Sequence, residues 1–444
     1  MTAKNLGRAL LTAGTVAAAV LAASAPAAGA TAPPEAVVGP NTTTAPYVLP
    51  IADGVTVTSL LTVNDAGSTN NRYELVGIPD GIGLQAAPGG RVQVTVNHEL
   101  SLDSGIVRRH GEKGAFVSDY RIDPVSNKVV FGQDLITPAI SYYDYQGGGY
   151  GQVPGAPAGA TYGHTAQFQR FCSGYLSYPG QFRSTTGNGT SQQFRFVNEE
   201  IGVEGRVFAV TSLGNAVQLP RLGLQSWENT LVAPTTGDTT LVMGDDDSSN
   251  GTVTAYVGRK NRNGTNAVAQ AGLTNGQNFA VTLPGLATDA AIRSRYDVGN
   301  SVPFRLTNID WNQSGAAQEA EGLAKGVMQF NRVEDGAFDP SHPNDYYFIT
   351  TDGGEGAGDG GGGGLWRLRY NDIENPKAGG TVTLMLDGTE PITLNKPDNV
   401  TIDTDGNMLI QEDPARRSRC PGSSPTGSPT APSAPSPSST RRSS

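Results

Sequence analysis

Short runs of alternating or β-branched residues, each closed off by Gly, Asp or Asn, recur along most of this chain, and no long amphipathic helical pattern interrupts them. The clearest are Arg91–Val96, Ala115–Asp123, Gly205–Val210, Thr239–Met243, Gly251–Val257, Asp345–Thr350, Gly364–Tyr370 and Asn407–Ile410. Such runs place alternate side chains on opposite faces and leave their backbone groups in need of neighbouring strands, so they fold only as sheets. Leu286–Arg295 and Ala316–Lys325 fit short helices. The 58 Gly and 29 Pro among 444 residues supply the turns, and a charged fraction of 16% excludes a coiled coil or a charge-rich disordered chain. The chain therefore reads as all-β. The strands repeat loosely, with room for large loops, which points to a β-propeller of radially repeated four-stranded blades; a large β-sandwich array is the competing fold.

The two ends differ from the body. Residues 1–30 read as a signal peptide: Lys4 and Arg8 make a basic start, Ala9 to Ala23 a short apolar run, and Ala28-Gly29-Ala30 a small-residue cleavage site. One arginine rather than a pair fits the general secretory route, so the mature protein is expected to be secreted or held in the cell envelope. The apolar run is too short and Ala-rich for a membrane span, and no later segment is long enough. Residues 31–54 form a low-complexity leading segment, 55–415 the propeller domain, and 416–444 a Pro/Ser/Thr-rich disordered tail. Leader and tail carry seven cations and no acid, and setting them aside takes the formal charge from −10 to −17 for the body. With no basic stripe, nucleic acid is not an expected partner. An acidic body suits cations, although solubility alone would also favour it.

Small acidic and amide groups cluster at strand ends: Asn97-His98-Glu99, Asn198-Glu199-Glu200, Trp227-Glu228-Asn229, Gly244-Asp245-Asp246-Asp247, Arg332-Val333-Glu334-Asp335-Gly336, Thr351-Asp352, Pro397-Asp398-Asn399 and Glu412-Asp413. In a propeller, equivalent strand ends converge on one mouth of the central channel. Converging carboxylates repel unless a cation sits among them, and hard oxygen ligands favour calcium or magnesium, with iron or manganese as further options. Singly, each group also reads as a solvated turn. No Gly-x-Ser-x-Gly elbow and no His-Glu-x-x-His motif occurs, and the four histidines are scattered. The Gly353–Gly364 stretch lacks the Lys and following helix of a phosphate-binding loop and reads as a hairpin loop. Of the two cysteines, Cys172 lies in the body and Cys420 at the edge of the tail; a disulfide between them and a small buried thiol at Cys172 are both open readings.

The ordered series Val96-Asn97-His98-Glu99, Phe171-Cys172-Ser173-Gly174, Val197-Asn198-Glu199-Glu200, Trp227-Glu228, Gly244-Asp245-Asp246, Arg332-Val333-Glu334-Asp335-Gly336 and Lys396-Pro397-Asp398-Asn399 resembles the PhoX-type alkaline phosphatase family. The resemblance implies a six-bladed β-propeller and a secreted phosphomonoesterase acting on a small phosphorylated substrate, with iron and calcium held by one cysteine and many carboxylates. By motif, Cys172 would be the thiolate ligand of iron. Glu228, Glu334 and one of Asp245 or Asp246 would be carboxylate ligands, and Arg332 would contact the substrate phosphate. Glu99, Glu200, Asp335 and Asp398 fall in matching motifs and are further expected metal ligands.

Three features depart from that pattern. The leader has a single arginine where the family commonly has two. Val333 stands where proline is usual, and the cysteine motif lacks the tryptophan-rich continuation. After Pro414 the composition turns abruptly to Arg, Ser and Pro, so the last blade is expected to be incomplete, the tail being a frameshifted or truncated end or a disordered linker. Two other functions fit the residues: a calcium-dependent lactonase-like propeller, suggested by Pro397–Asn407, and a non-catalytic calcium-binding envelope propeller. Cys172 discriminates, because neither alternative needs a thiolate.

Overall fold

The structure is a computed structural model that describes residues 32–65, 70–354, 362–390 and 394–413. The expected signal peptide, the expected disordered tail and the middle of the glycine-rich stretch lie outside the described residues. Every one of the eight expected strands is present, and two of the few helices, Asp289–Arg293 and Gly315–Ala324, fall where short helices were expected. Both are started by a hydroxyl: Thr288 and Ser314 accept the backbone N–H of Ala291 and Ala317.

Strands β1 (Glu35–Val38) and β2 (Thr56–Ser59) pair in parallel, so the leading segment contributes a strand of its own. The first fan is β3 (Pro79–Ala87), β4 (Arg91–His98), β5 (Phe116–Asp123) and β6 (Lys128–Asp134), antiparallel and in sequence order. The second contains β7 (Ile140–Asp144), β8 (Gly149–Gly151), β9 (Phe194–Asn198), β10 (Val207–Thr211) and β11 (Ala216–Gln218), with β9 at its edge.

The largest sheet has nine strands and is two fans joined edge to edge. One is β12 (Trp227–Val232), β13 (Thr239–Asp246), β14 (Val253–Arg259) and β15 (Gln277–Thr282). The other is β17 (Val333–Phe338), β18 (Asp345–Gly354), β19 (Gly362–Tyr370) and β20 (Gly380–Leu386). Between them runs β16 (Ser301–Ile309), whose first half pairs with β20 and whose second half pairs with β15. A last hairpin, β21 (Pro397–Ile402) and β22 (Met408–Glu412), has two strands among the described residues, where the other units have four or five. The architecture is all-β and propeller-like. Six blades came with the resemblance; four fans, the β21–β22 hairpin and the parallel β1–β2 pair are what the described residues form.

Apolar faces between the fans make the core. Phe330 packs edge-on against Phe348 and Trp366, with ring centres 5.0 and 5.3 Å away; such pairs add about 0.5–1.5 kcal/mol each beyond their burial. The edge strands β9, β12, β17 and β21 touch in succession, so they are the inner strands of the ring.

One buried group should make the fold acid-sensitive. His110 is 5% exposed against Phe168, and neither ring nitrogen has a hydrogen-bond partner among the described residues. Burial pushes its pKa down from 6.5 to about 4, with Asp134 opposing and Arg108 assisting. The unfolded chain therefore takes up this proton first as pH falls. The His110 contribution to stability is full above about pH 6.5 and is lost, by up to about 3 kcal/mol, as pH falls toward 4, opposite in sign to that of the buried carboxyls whose pKa values are raised. Urea unfolding of His110→Leu should show a flatter pH dependence over that window; an unchanged slope would contradict this assignment.

Candidate metal centre

Four edge strands break their pairing register once, and each break falls on an acidic residue. In β3 it lies between Pro79 and Ile82, in β12 between Trp227 and Thr230, in β17 between Val333 and Gly336, and in β21 between Pro397 and Asn399. The residues caught inside are Asp80, Glu228, Glu334-Asp335 and Asp398. A bulge turns its extra residue off the regular sheet face. Here it aims carboxylates into one cleft of about 1000 Å³, lined also by Glu99, Arg170, Cys172, Ser173, Glu200, Asn229, Asp247, Arg332 and Asn399.

Within the cleft the donor atoms meet in three overlapping groups: Asp80 with Cys172 and Glu228, Glu99 with Cys172 and Glu200, and Glu228 with Asp247 and Glu334. In each group the ligand atoms lie within 4.8 Å of one another. The Cys172 thiol points at Asp80 Oδ2 over 3.6 Å. Glu228 joins two groups, is 1% exposed, and its Oε1 has no hydrogen-bond partner among the described residues; Asp80 Oδ1 is in the same position. Burial and then the neighbouring Glu334 and Asp80 raise the Glu228 carboxyl well above its ordinary range. Burial and Asp247 push Glu334 up to about 9 against the pull of Arg332. Burial first, and then Glu228, raises the Cys172 thiol. Carboxyls packed this closely, with arginine partners for only some of them, fit a cation site.

Two arginines flank the cluster, and both have left-handed backbones, with φ of 40° at Arg170 and 57° at Arg332. Non-glycine residues adopt that conformation rarely and at a cost, which the surrounding contacts must offset. Arg332 donates to Asp247 from Nε and Nη2 at 2.8 and 2.9 Å and reaches Glu334 at 2.9 Å. Arg170 pairs with Glu99 at 2.6 Å and with Glu200.

Asp335 and Asp398 line the cleft but belong to none of the three groups. Asp335 accepts from Asn229 Nδ2 at 2.6 Å and from the backbone of Gly336 and Val400, and so ties β12, β17 and β21 together. Ser173 continues this network, accepting from Asn229 and donating to Asn399. Asp398 accepts from the Asn399 amide, and burial followed by Asp413 and Asp80 raises it to about 7.

Asp245 and Asp246 face elsewhere. They lie on the regularly paired end of β13, where successive side chains alternate between faces. Asp245 is buried in the core and accepts from the Tyr346 hydroxyl at 2.6 Å. Asp246 lines a separate cavity of about 110 Å³ and accepts from the Thr252 N–H at 3.2 Å. Asp247, one residue beyond the strand, reaches the cleft instead. Asp80 and Arg170 were also missed. Pro79-Asp80-Gly81 reads as a plain turn, yet like Pro397-Asp398-Asn399 it places a Pro-Asp pair at the register break that opens an edge strand. His98 is structural: its ring nitrogens contact Val76 O at 2.5 Å and Ser118 Oγ at 2.7 Å, and it stacks on Phe116.

Fold and site together define an all-β, propeller-like protein with a thiol and carboxylates gathered where its inner strands meet. The profile of the family described as alkaline phosphatase PhoX matches residues 162–438, more than half of the chain. The chain belongs to the PhoX alkaline phosphatase family. Among solved structures it is similar to Pseudomonas fluorescens PhoX in complex with vanadate, a transition state analogue, at 14% identity and a TM-score of 0.52, covering 77% of this chain and 74% of that one. An alpha-L-arabinofuranosidase from Fusarium graminearum in complex with an iminosugar inhibitor aligns at 8% identity and a TM-score of 0.36, over 76% of this chain and 78% of that one, too slight a likeness to carry an argument. No curated protein matches the chain. Among the described residues no helix is long and apolar enough to cross a membrane.

Proposed function

We propose that this protein is an exported, metal-dependent phosphomonoesterase whose cleft binds calcium, together with iron at the thiol. The observation that carries the reading is the triple meeting of Asp80, Cys172 and Glu228 beside Glu228, Asp247 and Glu334. The buried acceptors Glu228 Oε1 and Asp80 Oδ1, which have no hydrogen-bond partner among the described residues, fit a cation, since an anionic oxygen without a donor is costly to bury. Asp80, Glu228, Asp247 and Glu334 offer hard oxygen to calcium; Cys172, joined by Glu99 and Glu200, offers the soft ligand that suits iron. Bound metal would reverse the local charge, polarise phosphoryl oxygens and activate water.

The protein's own residues do the rest. Arg332 presents a planar, permanently charged fork that matches two phosphate oxygens. Asp247 and Glu334 hold that fork at the cleft wall in advance, so little freedom is lost on binding. Asp335, Asn229 and Ser173 fix the strand ends so that the donor atoms stay in place. That the solved relative binds vanadate supports a small phosphate ester as substrate.

Purified protein should hydrolyse a chromogenic phosphate monoester, lose that activity to a chelator, and regain it with calcium and iron. Chelation should also lower thermal stability, because a ligand at 100 times its Kd contributes about 2.7 kcal/mol. Metal-replete protein that leaves the ester intact would sink the proposal.

A further inference from the structure

Arg195 on β9 is a fully buried guanidinium, 2% exposed, and it forms no ion pair among the described residues. Burial draws its pKa down to about 9, with Asp80 the one acid acting against that shift, so it stays charged at neutral pH. A buried charge without a carboxylate partner is expensive, and such a group survives only where its hydrogen bonds hold something in place. Three bonds do so. Nη2 donates to Gly81 O at 2.6 Å and to Asn97 Oδ1 at 3.0 Å, and Nη1 donates to Gly174 O at 3.0 Å. Asn97, held this way, donates from Nδ2 to Cys172 O at 2.9 Å and Ser173 O at 3.1 Å.

The carbonyls gripped are those of the residue after Asp80, of Cys172 itself, and of the two residues after Cys172. Three glycines clear the path. A Cβ on Gly81 would come within 2.4 Å of Gly174 N, one on Gly174 within 2.7 Å of Asn97 Nδ2, and one on Gly83 within 3.0 Å of Arg195 Nη1. The first fan and the cysteine loop are thus drawn together through one guanidinium and one amide.

We propose that Arg195, acting with Asn97, is the positioning residue of the metal centre, holding the backbone beside Asp80 and Cys172 so that carboxylate and thiol converge. The inference rests on the reading of Asp80 and Cys172 as metal ligands. Neither Arg195 nor Asn97 belongs to any of the three donor groups found among the described residues. Residues one step removed from a metal typically account for 10–100-fold in its affinity.

The test uses the full chain in a Cys420→Ser background, with Arg195→Met and Asn97→Ala compared below their melting temperatures. Two quantities are measured: the rate at which a soluble aromatic disulfide modifies Cys172 in metal-free protein, and the calcium affinity by calorimetry. Both variants should modify at least ten times faster and bind calcium at least ten times more weakly, Asn97→Ala by the smaller factor. Should Arg195→Met fail to fold, Asn97→Ala decides, because it leaves both Arg195–carbonyl bonds in place. Lower melting temperatures with wild-type thiol rates and calcium affinity would overturn the proposal and leave Arg195 a brace of the fold alone. A parent protein that binds no metal would defeat the proposed function, while the thiol rate would still decide the role of Arg195.

Discussion

Replacing Glu228 by glutamine should abolish most phosphate-ester hydrolysis and, at the same time, raise the melting temperature of the metal-free protein. Both effects come from one atom pair. Glu228 belongs to two of the three donor groups, so its loss weakens both at once. Outer-shell changes already cost 10–100-fold at metal sites, and a shared ligand should exceed that, at least about 100-fold in kcat/KM. Stability should move the other way. Glu228 is buried among Glu334, Asp80 and Glu200 with an orphaned oxygen, which is a cost to the folded state when no cation is present. Glutamine keeps the shape and is neutral without taking up a proton, so the cost that burial and the neighbouring carboxylates set on Glu228 in metal-free protein falls away. Steady-state kinetics on metal-replete enzyme and calorimetry on chelated protein check the two halves. A variant that is both less active and less stable would point to ordinary misfolding instead.

The second large effect belongs to Arg332. Changing it to alanine removes the fork proposed to hold the substrate phosphate and takes the guanidinium away from Asp247 and Glu334. Two charge-assisted hydrogen bonds at about 1.5–3 kcal/mol each place the expected loss between about 100-fold and about 10,000-fold in kcat/KM. Arg332→Lys should recover only a part, because an ammonium cannot make two parallel bonds and its extra freedom must be frozen out. Inhibition by vanadate should weaken in parallel, while calcium and iron content stay at wild-type levels. Full activity in Arg332→Lys would remove the residue from substrate binding.

Much of this was legible in the chain, and the gaps have physical causes. The strands were readable because alternation and β-branched runs map directly onto a pleated sheet, and Gly, Asp and Asn mark where each ends. Acidic strand ends were readable as candidates for the same reason. Which acid of Gly244-Asp245-Asp246-Asp247 enters the cleft was not, because a single residue of register decides the face, and only the pairing of Asp245 with Val253 settles it. Asp80 hid in a Pro-Asp-Gly turn signature. Arg170 and Arg195 carried no local signal at all. One depends on a left-handed backbone and the other on burial across β9, the first fan and the cysteine loop, and both are products of tertiary contact. The bulges at Asp80, Glu228, Glu334 and Asp398 are the common device that joins sequence to site. Each spends a local break in pairing to turn a carboxylate inward.

The most direct test of a metal centre in this cleft is an anomalous-scattering map from crystals grown with calcium and iron, recorded at wavelengths that distinguish the two. Peaks are expected among Asp80, Cys172 and Glu228 and among Glu228, Asp247 and Glu334, with iron on the side of the thiol. A cleft without peaks in metal-replete crystals would contradict the account.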